Sequence, residues 1–313
     1  MKHLVKLFAF LLLLATLIPV SSCKHPGKYV FNEGKIYGTY YHIVYKSPEG
    51  KDLHAEIDAL LGELNKIFST FDSGSVISRI NSNQPVVPPT YFMNCFKRSM
   101  EISKLTGGAF DITVAPLVNA WGFGFTHKGK ITQPLIDSLL RFTGYQKIKL
   151  EGNKVIKDDP GIMLDMSAIS KGYTCDILGN FLAEQNCIHY MVEIGGEVVA
   201  RGVNQKGKVW RIGISKPEEN IFNSAGELEA IVELSDKALA TSGNYRNFYV
   251  EDGKKYAHTI NPGTGYPVQH NLLSATVIAS DCMTADALAT AFMVMGVEKS
   301  MELSKEIPGV EVF

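Results

Sequence analysis

The chain has 313 residues, 45% of them apolar, with 31 lysines and arginines against 32 acids. That length and apolar fraction are ordinary for a globular protein and suffice for one large core or two small ones. The charge balance gives no electrostatic basis for nucleic-acid binding, so partners have to be read from local sites.

The N-terminus reads as a targeting segment. Lys2 and Lys6 precede the apolar run "LFAFLLLLATLI", which is short for a membrane span, and "PVSSC" then ends in small residues and Cys23. Val20-Ser21-Ser22-Cys23 resembles a bacterial lipobox, which predicts lipid attachment at Cys23. A generic signal peptide with an incidental cysteine is the alternative, and either reading takes the protein out of the cytoplasm. The expected division is residues 1–22 as a lipoprotein signal peptide, 23–34 as a tether and 35–313 as one folded unit. The remaining cysteines, Cys95, Cys175, Cys187 and Cys282, have no metal-ligand spacing and read as buried small residues. An oxidising compartment permits a disulfide without selecting a pair.

Along the folded part, "GKYVFNEGKIYGTYYHIVYK" is rich in aromatic and β-branched residues and predicts strands. Asp52 to Phe68 carries Leu53, Ile57, Leu60, Leu61, Leu64 and Phe68 at helical spacing. Further helices are expected from Tyr91 to Leu105, around Pro134 to Phe142, and from Gly172 to Glu184. A hairpin turns at Gly152-Asn153, and strands are expected at "IMLDM", "YMVEI", "EVVARGV", "KVWRIGIS", "ELEAIVELSDKALATSG", "RNFYVEDGKKYAHTI" and "SATVIAS". "TADALATAFMVMG" is the closing helix. Strand runs joined by short turns and interrupted by helices predict an α+β fold, one compact unit without internal repeats.

Four loops and the closing helix bring polar residues next to glycines or into apolar surroundings. In "GGAFDIT", glycines let a ligand approach the backbone, and Asp111 either bonds a heterocycle or caps a turn. "LDMSAISKGY" carries Asp165 and Lys171 to a helix start, a combination that suits a phosphate, although its glycine spacing is not that of a P-loop. Gly195-Gly196 in "EIGGEVVARG" is either a tight turn or a ligand contact. The "HTINPGTGYP" loop holds His258 beside a turn of fixed geometry, which makes it the best acid/base candidate among eight histidines. In the closing helix, Asp286 and Thr290 lie one turn apart on the same face amid apolar neighbours. Asp286 is then either a helix N-terminal cap, with Thr284 sharing the role, or a ligand with Thr290 for a hard cation that compensates the buried charge.

Seven stretches, "FSTFDSGSVISRIN", "TGGAFDITVAPLVNAWGFG", "LDMSAISKGYTCD", "GGE", "TSGNYRNFY", "HTINPGTGYPVQHN" and "TADALATAFMVMG", together resemble the ApbE family of FAD:protein FMN transferases, in family order and over nearly all of the mature chain. The resemblance implies a T-fold-like α+β fold that takes FAD as substrate and uses Mg2+. It implies transfer of FMN from FAD to a threonine or serine hydroxyl of a target flavoprotein, with release of AMP. Carried over by motif, Asp286, Thr290 and the carbonyl of Ala168 are the expected metal ligands. Tyr37, Phe71, Ala109, Phe110, Asp111, Asp165, Lys171 and Ile260 are the expected FAD contacts. Tyr37 stands where the family commonly has methionine, and Asn261 where it often has aspartate. The resemblance also implies a periplasm-facing lipoprotein anchored to a bacterial membrane, with acceptors among subunits of membrane redox complexes such as sodium-pumping NADH:quinone reductases and Rnf-type complexes. Relatives usually continue through further strand and helix beyond Phe313.

Two other activities use the same residues. One is a magnesium-dependent FAD pyrophosphatase with water as acceptor; the aromatic Phe71 favours transfer over it, because it predicts a drier site. The other is a flavin-binding lipoprotein without catalysis, which has no need of the Asp286/Thr290 oxygen pair.

Overall fold

The structure is a computed structural model and describes residues 27–124, 129–217, 227–245, 247–251 and 253–313. Cys23 and the signal segment lie outside these residues. The first strand, β1 (Lys28–Ile36), pairs along its whole length with β2 (Thr39–Ser47), so the sheet begins inside the segment assigned by sequence to a tether. In β2 the side chains alternate, with Tyr41, Ile43 and Tyr45 buried between exposed or half-buried neighbours, whereas β1 is an edge strand whose buried residue is Asn32.

The central sheet has seven strands in the order β1, β2, β5 (Tyr190–Ile194), β6 (Glu197–Arg201), β9 (Lys237–Gly243), β12 (Ser274–Ala279) and β13 (Glu311–Val312), all antiparallel. Period-two alternation sends Tyr41, Ile43, Tyr45, Val192 and Ile194 to one face and Val44, Met191 and Leu239 to the other. Helices lie on the first face, α1 (His54–Phe68), α6 (Ser167–Glu184) and α7 (Cys282–Met295), with α3 (Thr90–Leu105) packed on all three. A two-stranded hairpin, β7 (Trp210–Ser215) with β8 (Leu228–Leu234), covers the second by burying Trp210 and Leu234 against Val198 and Leu239. An antiparallel sheet with its helices on one face is the α+β arrangement expected. The hairpin β3 (Ile148–Glu151) with β4 (Lys154–Lys157) turns where expected, and β10 (Phe248–Glu251) pairs with β11 (Lys254–Ala257) outside the central sheet. No helix among the described residues is long and apolar enough to cross a membrane.

Several elements differ from the sequence expectation. Ile162 to Met166 is not a strand: Asn81 clamps both backbone groups of Leu164 (2.7 and 2.9 Å), and Asp165 N–H donates to the Ile112 carbonyl (2.7 Å). Ile162, Leu164 and Met166 are buried, but the segment's hydrogen bonds go to single partners rather than to a ladder. Helix α6 starts at Ser167, five residues earlier than expected, so Lys171 lies one turn inside it. The short helices α2 (Val76–Asn81), α4 (Ala115–Ala120) and α8 (Val297–Glu306) are additional, with α5 (Gln133–Leu140) close to its expected place. Helix α8 and β13 follow α7, which is therefore not the closing element.

The α6–α7 contact sets the geometry of everything that follows. A Cβ added to Gly172 would lie 2.3 Å from the Cys282 carbonyl oxygen and 2.7 Å from Asp286 Cβ, so only glycine permits this approach. Gly172→Ala is expected to push α7 off α6 at a cost of about 1–3 kcal/mol, since the obstructing atoms are the Cys282 backbone and the Asp286 Cβ, which no side-chain rotation moves away. A denaturation midpoint equal to that of the parent would show that the helices tolerate a wider spacing. Cys95, Cys175, Cys187 and Cys282 are all buried free thiols.

Candidate functional site

A cavity of about 670 Å³ opens at one end of the sheet, a size suited to a cofactor-sized ligand. It is built from the β1–β2 turn, the β5–β6 turn, the end of β9, the first turns of α6, the middle of α7, and the loops around residues 109–124 and 258–262. Every residue assigned by sequence to FAD or metal lines it: Tyr37, Phe71, Ala109, Phe110, Asp111, Asp165, Ala168, Lys171, Ile260, Asp286 and Thr290, together with His258. Segments more than two hundred residues apart in the chain meet here because antiparallel hairpins return their turns to the same end of the sheet.

Asp286 is not the cap of α7. That role belongs to Asp281, whose Oδ1 accepts from Thr284 N–H (2.8 Å) and from the Thr284 hydroxyl (2.5 Å). Asp176 of α6 accepts the next two orphan amides, Cys282 and Met283, both at 2.8 Å. Two carboxylates thus satisfy the amino end of α7, and Asp286 lies a full turn further in, where its charge has no capping task. It is 3% exposed, and its Oδ2 accepts from the Gly172 amide at 2.9 Å. Ala168, in the first turn of α6, lines the same cavity. One turn along α7, the Thr290 hydroxyl lies 3.0 Å from the Ser242 hydroxyl at the end of β9.

The electrostatics explain the strain on this acid. Burial pushes the Asp286 carboxyl above the usual carboxylate range, with the Lys171 ammonium and the Gly172 amide pulling the other way. Lys171 is ion-paired with Glu197, whose carboxyl burial also raises against the pull of that lysine. Burial favours a neutral Lys171, but Glu197 and Asp286 outweigh it and hold the ammonium charged. Two carboxylates therefore face one lysine on the cavity wall. The chemistry of the donors, a carboxylate, a hydroxyl and a carbonyl with an excess of negative charge, fits a hard divalent cation that keeps part of its coordination for phosphate oxygens and water. Among the described residues no group of three or more His, Cys, Asp or Glu side chains converges, so a cation here relies on mixed oxygen donors.

His258 donates through Nδ1 to the Asn247 carbonyl (3.2 Å), since a carbonyl can only accept, and this leaves Nε2 as a lone pair. Burial holds its pKa below the ordinary histidine value, with Lys171 adding to the effect, so the ring is a neutral base at pH 7. The loop that carries it is tied down: Asn261 Oδ1 accepts from Gly263 N–H at 2.9 Å, and Trp121 donates to the Gly265 carbonyl at 2.8 Å. An amide oxygen forms this turn without a charge, which accounts for asparagine at position 261.

Other assigned residues serve the protein's own loops as well as the cavity. Asp111 accepts from Thr113 N–H and hydroxyl (2.8 and 2.6 Å) and from Tyr145 N–H (2.7 Å), the turn-capping role of its two readings. Asp165 is not delivered by a strand; its Oδ1 accepts from Ser167 N–H at 2.8 Å and starts α6. The Tyr37 hydroxyl lies 3.1 Å from that of Thr174. Phe71 is 75% exposed at the cavity mouth, so its ring does not make the site dry as expected. Gly195-Gly196 is a tight turn, both residues at positive φ, joining β5 to β6. The sequence reading missed Glu197 and Asp176. Both stand inside quoted motifs, "GGE" and "YTCD", but nothing in the spacing reveals that they meet Lys171 and the end of α7.

The chain is similar to known proteins over most of its length. The model of the ApbE family matches residues 37–313. The FAD:protein FMN transferase of Vibrio cholerae serotype O1 is 39% identical over 305 residues, covering 95% of this chain and 90% of that protein. A solved flavin transferase ApbE from Vibrio cholerae superposes with a TM-score of 0.82 at 38% identity, covering 92% of this chain and 93% of the other. The apo form of the Pseudomonas stutzeri flavinyl transferase ApbE gives 0.80 at 32% identity, with coverage of 92% and 93%.

Proposed function

This chain belongs to the ApbE family, and on that premise we propose that it is an FAD:protein FMN transferase, moving FMN from FAD onto a threonine or serine hydroxyl of an acceptor flavoprotein and releasing AMP. The observation that carries the reading is that Asp286, Thr290, Lys171 and His258 all line one cavity. A carbon-only flavin pocket has no use for that concentration of charge.

In the proposed reaction the acceptor oxygen forms a bond to the phosphorus of the FMN half, the P–O bond to AMP breaks, and AMP leaves with the bonding electrons. Nε2 of His258 takes the acceptor's proton, as its tautomer and low pKa allow. Lys171 offers its ammonium to the diphosphate. Asp286, Thr290 and the Ala168 carbonyl would hold magnesium, which when bound supplies charge neutralisation at the phosphate oxygens. Tyr37, Phe71, Phe110 and Ile260 supply ring and aliphatic surface for the flavin.

The test is to incubate the protein with FAD, magnesium and a candidate acceptor, then weigh acceptor and nucleotides by mass spectrometry. Acceptor heavier by FMN less water, with AMP in equal amount, is the expected result. Free FMN with AMP and unmodified acceptor would mean a hydrolase, and unchanged FAD a flavin carrier.

The lipobox-like start supports a lipid anchor at Cys23 facing the periplasm, and with it acceptors among membrane redox complexes of the sodium-pumping NADH:quinone reductase or Rnf type. One acyl chain binds membranes only marginally, so several are expected. Cys23→Ala is expected to move the protein from the membrane to the soluble fraction; retention on membranes of a variant with an intact N-terminus would refute the anchor.

A further inference from the structure

Glu197 begins β6 directly after the Gly195-Gly196 turn, and its side chain is 5% exposed. Its Oε1 pairs with Lys171, which is 28% exposed, while Oε2 is closed off from solvent and has no hydrogen-bond partner among the described residues. A counter-ion for a lysine does not require a second, desolvated and unpaired oxygen. The fold accepts that cost on the cavity lining, where the carboxylate is fixed by burial and by Lys171.

The pair also joins two elements. Lys171 comes from α6 and Glu197 from the sheet, and α6 packs on β5 and β6. A lysine alone is a compact charge on a flexible four-carbon stem. Glu197 engages one of its three donors and leaves two for the cavity. Asp286 attracts the same ammonium.

We infer that Glu197 is a positioning residue for the transfer, holding the Lys171 ammonium in the cavity where it meets the diphosphate of FAD. The inference rests on the reading of the cavity as an FAD site. A carboxylate beside a diphosphate repels it, so Glu197 adds little to ground-state affinity; its effect lies in the placement of the cation during reaction.

A double-mutant cycle with Lys171→Ala tests this. Glu197→Gln alone is expected to lower turnover by about 10–100-fold while FAD affinity changes less than about threefold. Lys171→Ala should lower both, with Lys171→Arg restoring only part because the two cations differ in shape. In the Lys171→Ala background, Glu197→Gln should cost no further turnover, and it should raise FAD affinity, because it removes a buried carboxylate left facing the diphosphate. Multiplicative losses in turnover, or a further loss of FAD affinity in the double variant, would overturn the inference. FAD affinity is read from quenching of flavin fluorescence with magnesium present and needs no acceptor, so the cycle is decided even if the protein binds FAD without transferring FMN. Melting curves check folding, and should Glu197→Gln not fold, Glu197→Asp, which keeps the charge but withdraws it from the lysine, enters the same cycle with the same expectations for turnover and with no gain in FAD affinity in the Lys171→Ala background.

Discussion

Asp286→Asn is expected to leave the fold intact while lowering magnesium-dependent transfer by about 10²–10³-fold, the loss typical when one preorganised charge is removed from a reacting site. The substitution keeps shape and keeps an oxygen for the Gly172 amide, so α6 and α7 retain their contact. It also removes a buried charge whose pKa the fold raises, chiefly by desolvation. For such an acid the folded state binds its proton more readily than the unfolded chain does. Its unfavourable contribution is therefore absent below the unfolded value near 3.9 and grows as pH rises through the folded value. At neutral pH the metal-free asparagine variant should melt at or above the parent temperature. Magnesium at about a hundredfold excess over its Kd, with FAD present, should raise the parent's melting temperature by about 5 °C and leave the variant's unchanged. Equal shifts in both proteins would remove Asp286 from the metal site.

The second large effect is expected at His258. His258→Ala should reduce transfer by about 10²–10⁴-fold with FAD affinity within a few-fold of the parent, because the ring accepts a proton in the reaction and is not needed to hold the nucleotide. The pH profile follows from the same geometry. Burial and Lys171 place the folded pKa below the ordinary value near 6.5, so the parent's rate should fall only as pH drops beneath that value and be level above it. Stability has the same sign: a histidine that resists protonation when folded loses stability as pH falls below the unfolded value. A variant that transfers FMN at the parent rate, or a parent profile with no acidic limb below pH 6.5, would exclude the histidine as base.

Much of the protein is legible from sequence. Strand β2, helices α1 and α3 and the β3–β4 hairpin follow from local period, because each buries one face and the pattern records which. The candidate site was legible through motifs: the residues assigned to FAD and metal do line one cavity. The same local information misread Ile162–Met166 as a strand, since an apolar run has the same appearance whether a ladder or a single Asn81 side chain takes its backbone bonds. It also left Asp286 with two readings, because spacing cannot show that Asp281 and Asp176 already cap α7. Nor could it pair Glu197 with Lys171, or show that Gly172 lets Asp286 reach the α6 backbone. Local sequence records what each segment prefers to bury and how it turns. Which charges face one another is decided only when the sheet brings distant turns to one end, since electrostatic compensation acts through space and has no period along the chain.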